Sequence, residues 1–313
     1  MKRIIGRYIG EEKGSLFITI GAMHGNELAG IHAIQEVLKM LEAEAENNSD
    51  FVFSGQFIGL CGNLRAVKSG KRFIQKDLNR QWTNHNVRRI LRETPEQLDE
   101  EDLELKELLL TIQREVEQYK PEKVFLLDLH TTSAEGGIFS IVTDDLWSLQ
   151  IAVQLHAPVI TGMMEGLKGT TLHYFTDAVL DVPTTAIAFE SGQHFDPLST
   201  NRAISAIINC MRSIGCVHSM IVEPRHDEIL INYARRLPKV TEFVYVHKIT
   251  AKDGFSMKEG FQNFQAVQKG ELLARDKKGE IRAPFDALIL MPLYQAQGEN
   301  GFFLVKEVYQ GAY

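Results

Sequence analysis

His24 and Glu27 stand three residues apart in GAMHGNELAG (21–30), where an apolar run gives way to a Gly-containing turn and then to a helical pattern. At such a strand-to-helix junction an imidazole and a carboxylate can converge on one point, and they are two ligands for a borderline cation such as zinc. Taken alone, the pair is more simply a satisfied surface pair. A third donor, His130, stands at the carboxyl end of FLLDLH, a run too apolar to be an exposed strand. In open α/β sheets ligands gather outside the carboxyl ends of the strands, and both histidines belong there. Two histidines and a glutamate, with a fourth position left for water, form a catalytic zinc set. Without metal, His130 reads as a hydrogen-bonded strand-end histidine. Asp128, two residues earlier on the same face, is available to it in either case.

A hydrolytic zinc site also needs a base for the water and positive charge for the oxyanion. Glu190 ends the apolar run TTAIAFE (184–190), where a solvated carboxylate is hard to accommodate. Its structural alternative is a cap for the turn that follows. Arg72, Asn79 and Arg80 cluster in NLRAVKSGKRFIQKDLNRQW (63–82), which reads as a loop. Basic side chains there are either solvated or face a substrate carboxylate. His173 and His194 read as loop and turn residues, and Cys61 as a small buried apolar residue. Trp82 and Trp147 are scattered, with no aromatic platform for nucleic acid around them.

Such residues need strands that end together. SLFITIGAM (15–23), FVFSGQFIGL (51–60), VFLLDLH (124–130) and TTAIAFE read as buried strands. Between them lie helical faces: Leu28, Ile31, Ile34, Leu38 and Leu41, then Leu105, Leu108, Leu109, Ile112 and Val116 closed by Pro121. Ala203, Ile204, Ile207, Ile208, Met211 and Ile214 mark another, ending near Gly215. The alternation predicts a mixed, mostly parallel sheet covered by helices. The first helix is expected to end in the polar stretch 43–50, and the acidic run from Glu93 to Glu107 reads as the solvated face of a helix N-terminus. From Val240 short β-rich runs alternate with Gly turns. The expected division is therefore an α/β domain over 1–225 that carries the zinc-hydrolase residues and a smaller C-terminal β-domain over 226–313.

The 313 residues are 44% hydrophobic and 24% charged, a balance that excludes disorder throughout the chain. With 34 basic against 41 acidic residues the net charge is −7, which argues against nucleic acid as a partner. Three cysteines without a CxxC pair suit a reducing compartment. No run approaches the roughly 18 apolar residues of a membrane span, and the basic N-terminus lacks the apolar core of a signal peptide. A cytoplasmic protein without membrane partners is expected.

HGNE, then NLRA with RFI and DLNR, then DLHTT, then a strand-end FESG occur in an order that resembles the succinylglutamate desuccinylase and aspartoacylase family, which is related to zinc carboxypeptidases. The resemblance spans roughly residues 17–195. It implies a carboxypeptidase-like α/β/α core with a C-terminal β-domain that partly covers the active site. It also implies zinc, one per chain, held by His24, Glu27 and His130, with Glu190 as general base and acid. Arg72 would polarise the scissile carbonyl, and Asn79 and Arg80 would hold the α-carboxylate of a small N-acyl amino acid. The arginine that binds the side-chain carboxylate in aspartoacylase falls here on Leu180, beside Asp181, so the acyl group and the amino acid stay open. Tyr294 in MPLYQAQ is the candidate for a substrate-binding tyrosine of the C-terminal domain, or is an ordinary β-domain tyrosine. The expected activity is zinc-dependent cleavage of the amide bond of an N-acyl amino acid. The same ligands also serve a zinc carboxypeptidase acting on peptides, a non-haem iron oxygenase or a non-catalytic metal-stabilised binding protein. The last of these has no use for Glu190.

Overall fold

A computed structural model describes residues 1–218 and 225–308. Strands β1 (Ile4–Ile9), β2 (Glu12–Gly21), β3 (Ser54–Cys61), β4 (Val124–Thr132), β5 (Phe139–Val142), β6 (Val159–Thr161) and β7 (Thr184–Gln193) alternate with helices. The helices are α1 (Ala29–Asn47), α2 (Leu64–Ser69), α3 (Asn84–Arg92), α4 (Glu100–Tyr119) and α5 (Leu146–Val153), the single turns α6 (Met163–Gly166), α7 (Thr171–Tyr174) and α8 (Asp177–Leu180), then α9 (Ser199–Ser213) and α10 (Arg225–Ala234). Strands β8 (Val240–Lys248), β9 (Ser256–Met257), β10 (Gln265–Val267), β11 (Leu272–Asp276), β12 (Gly279–Arg282), β13 (Ala287–Leu290) and β14 (Asn300–Glu307) follow. Among the described residues no helix is long and apolar enough to cross a membrane.

Eleven strands form one sheet in the order β1-β3-β2-β4-β7-β5-β6-β8-β14-β13-β10, and β12-β11-β9 form a small second sheet. The central β3, β2, β4 and β7 run parallel. Parallel strands at the centre are covered on both faces, which is why their runs are apolar without alternation. Leu16, Ile18, Leu126 and Ala188 face one layer with Leu105, Leu109 and Ile112 of α4. Phe17, Leu127, Ile187 and Phe189 face the other, with Ile34 and Val37 of α1 and Ala203 and Ile207 of α9. The core is thus an α/β/α sandwich with a mixed, mostly parallel central sheet. The sheet continues past residue 225, because β8 pairs in parallel with β6 and antiparallel with β14. The C-terminal strands also enclose a small core of their own around Phe261, Leu273, Ile289 and Phe302.

Helix α1 ends at Asn47, inside the polar stretch expected to close it, and the strong helix formers Ala43, Glu44, Ala45 and Glu46 carry it into that stretch. The acidic run is a solvated face only in part: Glu96 and Glu107 are exposed, but Glu101, Asp102 and Glu104 of α4 are buried. Glu101 accepts backbone N–H bonds from Ile74 (2.7 Å), Gln75 (3.0 Å) and Lys76 (3.3 Å). Glu104 accepts from the amides of Leu64 (2.9 Å) and Arg65 (3.2 Å), while Asp102 pairs with Lys76 and Arg89. Amides and cations of segment 64–89 stand in for water, so these carboxylates can turn inward.

Phe189 is fully buried in β7, next to Glu190. Phe189→Ala should cost about 3–5 kcal/mol, seen as a marked drop in the denaturation midpoint.

Candidate active site

The turn between β2 and α1 holds His24 and Glu27, and its shape depends on Gly25. A Cβ at Gly25 would stand 2.2 Å from the Ala66 carbonyl carbon, so only glycine lets the turn lie against α2. The Gly25 amide also donates to Arg72 O at 3.0 Å. Strand β4 delivers Asp128 and His130 on one face, and β7 delivers Glu190 directly beside His130 in the parallel register.

His24 Nδ1 lies 2.9 Å from Glu27 Oε1, and His130 Nδ1 lies 3.1 Å from Glu27 Oε2. The outer nitrogens meet other carboxylates: His24 Nε2 is 3.1 Å from Asp77 Oδ1, and His130 Nε2 is 3.2 Å from Asp128 Oδ2. One donor atom from each of His24, Glu27 and His130 lies within 4.8 Å of the others, and all three residues are buried. A carboxylate behind each imidazole fixes its orientation and strengthens it as a ligand. With the inner nitrogens turned to one carboxylate, this donor set fits a divalent cation such as zinc. Burial opposes charge on Glu27, but His24 and His130 hold its carboxyl well below the usual range. Burial also opposes charge on His130, yet Asp128 and Glu27 raise its imidazole well above the ordinary value.

The segment that reads as a loop folds over this group. Arg72 contacts Glu27 Oε1 (3.1 Å), Asp77 Oδ2 (3.2 Å) and His24 Nε2 (2.8 Å), and its side chain is only 13% exposed. Asn79 Oδ1 accepts the Thr171 amide at 3.1 Å, and Asn79 Nδ2 lies 3.3 Å from His130 Nε2. The Thr171 hydroxyl donates to Asp128 Oδ2 at 2.6 Å, closing a ring of contacts around His130. Arg80 donates to Asn79 O (2.7 Å) and, with the Asn300 amide oriented so that both its groups are partnered, to Asn300 at 3.1 Å. Glu190 is buried, and among the described residues its Oε2, like Asp128 Oδ1 and Arg72 Nε, has no hydrogen-bond partner. Burial pushes its carboxyl up to about 8, with His130 pulling the other way.

His24, Glu27, Arg72, Asn79, Arg80, His130 and Glu190 all line one cleft. The stretch 291–303 of the C-terminal region forms a wall of that cleft. It is tied down where Asn26 Nδ2 donates to Gln295 (2.9 Å), Gln297 donates to Phe73 O (3.1 Å) and the Tyr294 amide donates to Ser133 Oγ (3.0 Å). The Tyr294 side chain is not brought to the cleft. Its hydroxyl accepts from the Phe261 amide (2.9 Å) and donates to Lys258 O (2.8 Å), while Leu293 and Gln295 on either side line the cleft. Leu180 is buried in the core and supplies no wall of the cleft. Asp77, Thr171 and Gln295 were not singled out by sequence. Only Asp77 carried a signal, as the first residue of DLNR.

The family model for the succinylglutamate desuccinylase/aspartoacylase catalytic domain matches residues 13–214. The chain belongs to this family. A protein of Nostoc sp. named "Probable aspartoacylase" is 27% identical over 123 residues, 39% of this chain and 37% of that protein. The Danio rerio protein named "N-acyl-aromatic-L-amino acid amidohydrolase (carboxylate-forming) B" is 37% identical over 60 residues, 19% of this chain and 18% of its own length. The matches thus span well under half of these relatives. The fold is shared with the succinylglutamate desuccinylase of Vibrio cholerae, at a TM-score of 0.63 and 16% identity over 94% of this chain and 82% of that one. It is also shared with murine aminoacylase 3, at a TM-score of 0.61 and 16% identity over 95% and 96%.

Two outcomes follow from the way this family member supports its ligands. Asp77→Asn should lower metal affinity by about 10- to 100-fold in competition with a chelating dye. Glu101→Ala should speed amide exchange selectively in residues 72–77 while the rest of the sheet stays protected, and uniform loosening would show that Glu101 supports the whole fold instead.

Proposed function

We propose that this protein is a zinc-dependent hydrolase that cleaves the amide bond of a small N-acyl amino acid, releasing a carboxylic acid and a free amino acid. Glu190 carries the reading. It is a buried carboxylate with an unpartnered oxygen, one strand over from His130, in a cleft that also holds His24 and Glu27. A site that held metal only for structure has no use for such a group. Membership of the family, and the names of the Nostoc and Danio relatives, support the same class of reaction.

In this reading His24, Glu27 and His130 hold one zinc ion per chain. Bound zinc supplies a Lewis acid and brings the pKa of water at such a site to about 7. Glu190 takes a proton from the water as its oxygen bonds to the carbonyl carbon, and passes that proton to the nitrogen as the C–N bond breaks. Arg72 offers positive charge to the oxyanion. Asn79 and Arg80 hold the α-carboxylate, the planar fork of Arg80 matching its two oxygens. Residues 1–225 house this centre, and 226–313 supply the cap whose stretch 291–303 walls the cleft. That wall favours a small N-acyl amino acid over a peptide. The three free cysteines suit the proposed cytoplasmic setting.

Protein purified without added metal should contain zinc, and dialysis against a chelator should abolish hydrolysis of N-acyl amino acids until zinc is returned. Stoichiometric iron with little zinc would sink the reading. Glu190→Gln should lose roughly 100- to 10,000-fold in turnover with its zinc retained. Arg72→Ala should lose about 100- to 1,000-fold at intact metal content, and a fully active Arg72→Ala enzyme removes that residue from the mechanism.

A further inference from the structure

Away from the ionisable cluster the cleft changes character. Ala188 lies two residues before Glu190 on the same face of β7, one pleat away, and is register partner to Ile141 of β5. Met164, Leu167, Leu172 and Phe303 complete this apolar lining. It adjoins Arg80. Gly169, between Leu167 and Leu172, packs so closely on Arg80 that a Cβ there would stand 2.3 Å from Arg80 O, and Asn300, which contacts Arg80, precedes Phe303 by three residues.

The charges are asymmetric. Arg72 is already paired with Glu27 and Asp77. Among the described residues Arg80 is the cleft-lining arginine without an ion-pair partner. The remaining charged group, Glu299, is an exposed carboxylate that also lines the cleft. One free cation matches one carboxylate. A second carboxylate entering beside Arg80 would be buried against methyl, thioether and aromatic groups with no cation to meet it, and charge is tolerated in such surroundings only when paired.

We propose that the substrate has a single carboxylate, held at Arg80, and an uncharged apolar amino-acid side chain, held by Met164, Leu167, Leu172 and Phe303. It is an N-acyl derivative of a hydrophobic amino acid, not of aspartate or glutamate. This rests on the deacylase reading above for the placing of the α-carboxylate, and it adds the substrate class.

The test compares N-acetyl-L-leucine and N-acetyl-L-phenylalanine with N-acetyl-L-aspartate and N-succinyl-L-glutamate on the zinc-loaded protein. The apolar pair should be favoured about 100-fold or more in kcat/KM. Calorimetry on zinc-loaded Glu190→Gln should show the apolar pair binding at least roughly tenfold tighter, independently of turnover. Acidic compounds cleaved or bound as well as the apolar ones would overturn the proposal and leave the deacylase reading standing. Cleavage of nothing in either class would remove the deacylase reading, while the order of binding still decides the character of the cleft, and binding of neither class overturns the proposal too. Met164 is only partly buried, so Met164→Arg should fold and should reduce the apolar preference by at least about tenfold. An unchanged ratio in that folded variant counts against this lining.

Discussion

Charge that has been taken out of water must be balanced where it sits, and at the carboxyl edge of this sheet that requirement organises the neighbouring chain. Glu27 and His130 sit in surroundings where burial opposes charge, and opposite partners hold the Glu27 carboxyl below its usual range and raise the His130 imidazole above its own. Asp77 and Asp128 then answer the outer nitrogens, and Arg72 answers Glu27 and Asp77. The balance reaches outward in tiers. Glu101 of α4, through the amides of residues 74–76, holds the segment that carries Arg72 and Asp77 in place. An outer helix thereby acts on the His24, Glu27 and His130 cluster without supplying any of its donors.

Glu190 differs from its neighbours in having no ion-pair partner among the described residues. Its Oε2, like Asp128 Oδ1 and Arg72 Nε, has no hydrogen-bond partner there, and burial pushes its carboxyl up to about 8. A group poised near neutrality can both accept and return a proton, which a carboxylate at its ordinary pKa does less well. Under the proposed role, the unpartnered oxygen of Glu190 is a local departure from good pairing of the kind that functional sites show.

How far the sequence could be read tracks how local each determinant is. The stretches 16–18 of β2, 124–127 of β4 and 186–189 of β7 are apolar without alternation because both faces are covered, and such runs announce themselves. His24 and Glu27 share one turn, and the motifs in which His130 and Glu190 stand are short, so the converging donors could be named before any contact was known. The rest depends on partners far along the chain. IIGRYI gives no clear alternation and becomes edge strand β1 only through pairing with β3. The carboxylates of α4 look solvated until the amides of residues 64–76 are folded onto them. Tyr294 and Gln295 are neighbours in sequence, and only the backbone path through residues 291–300 decides that Gln295 lines the cleft and the Tyr294 ring does not.

The wall formed by residues 291–303 also sets an order on the birth of the site. As the chain leaves the ribosome, His24, Glu27 and His130 are all available before β7 has been made, and Glu190 comes next. The apolar side of the cleft is closed only when Phe303 arrives in β14 and pairs beside β8. The His24, Glu27 and His130 cluster and the apolar wall of its cleft are therefore written in stretches of chain made at different times, so either can be altered without rewriting the other.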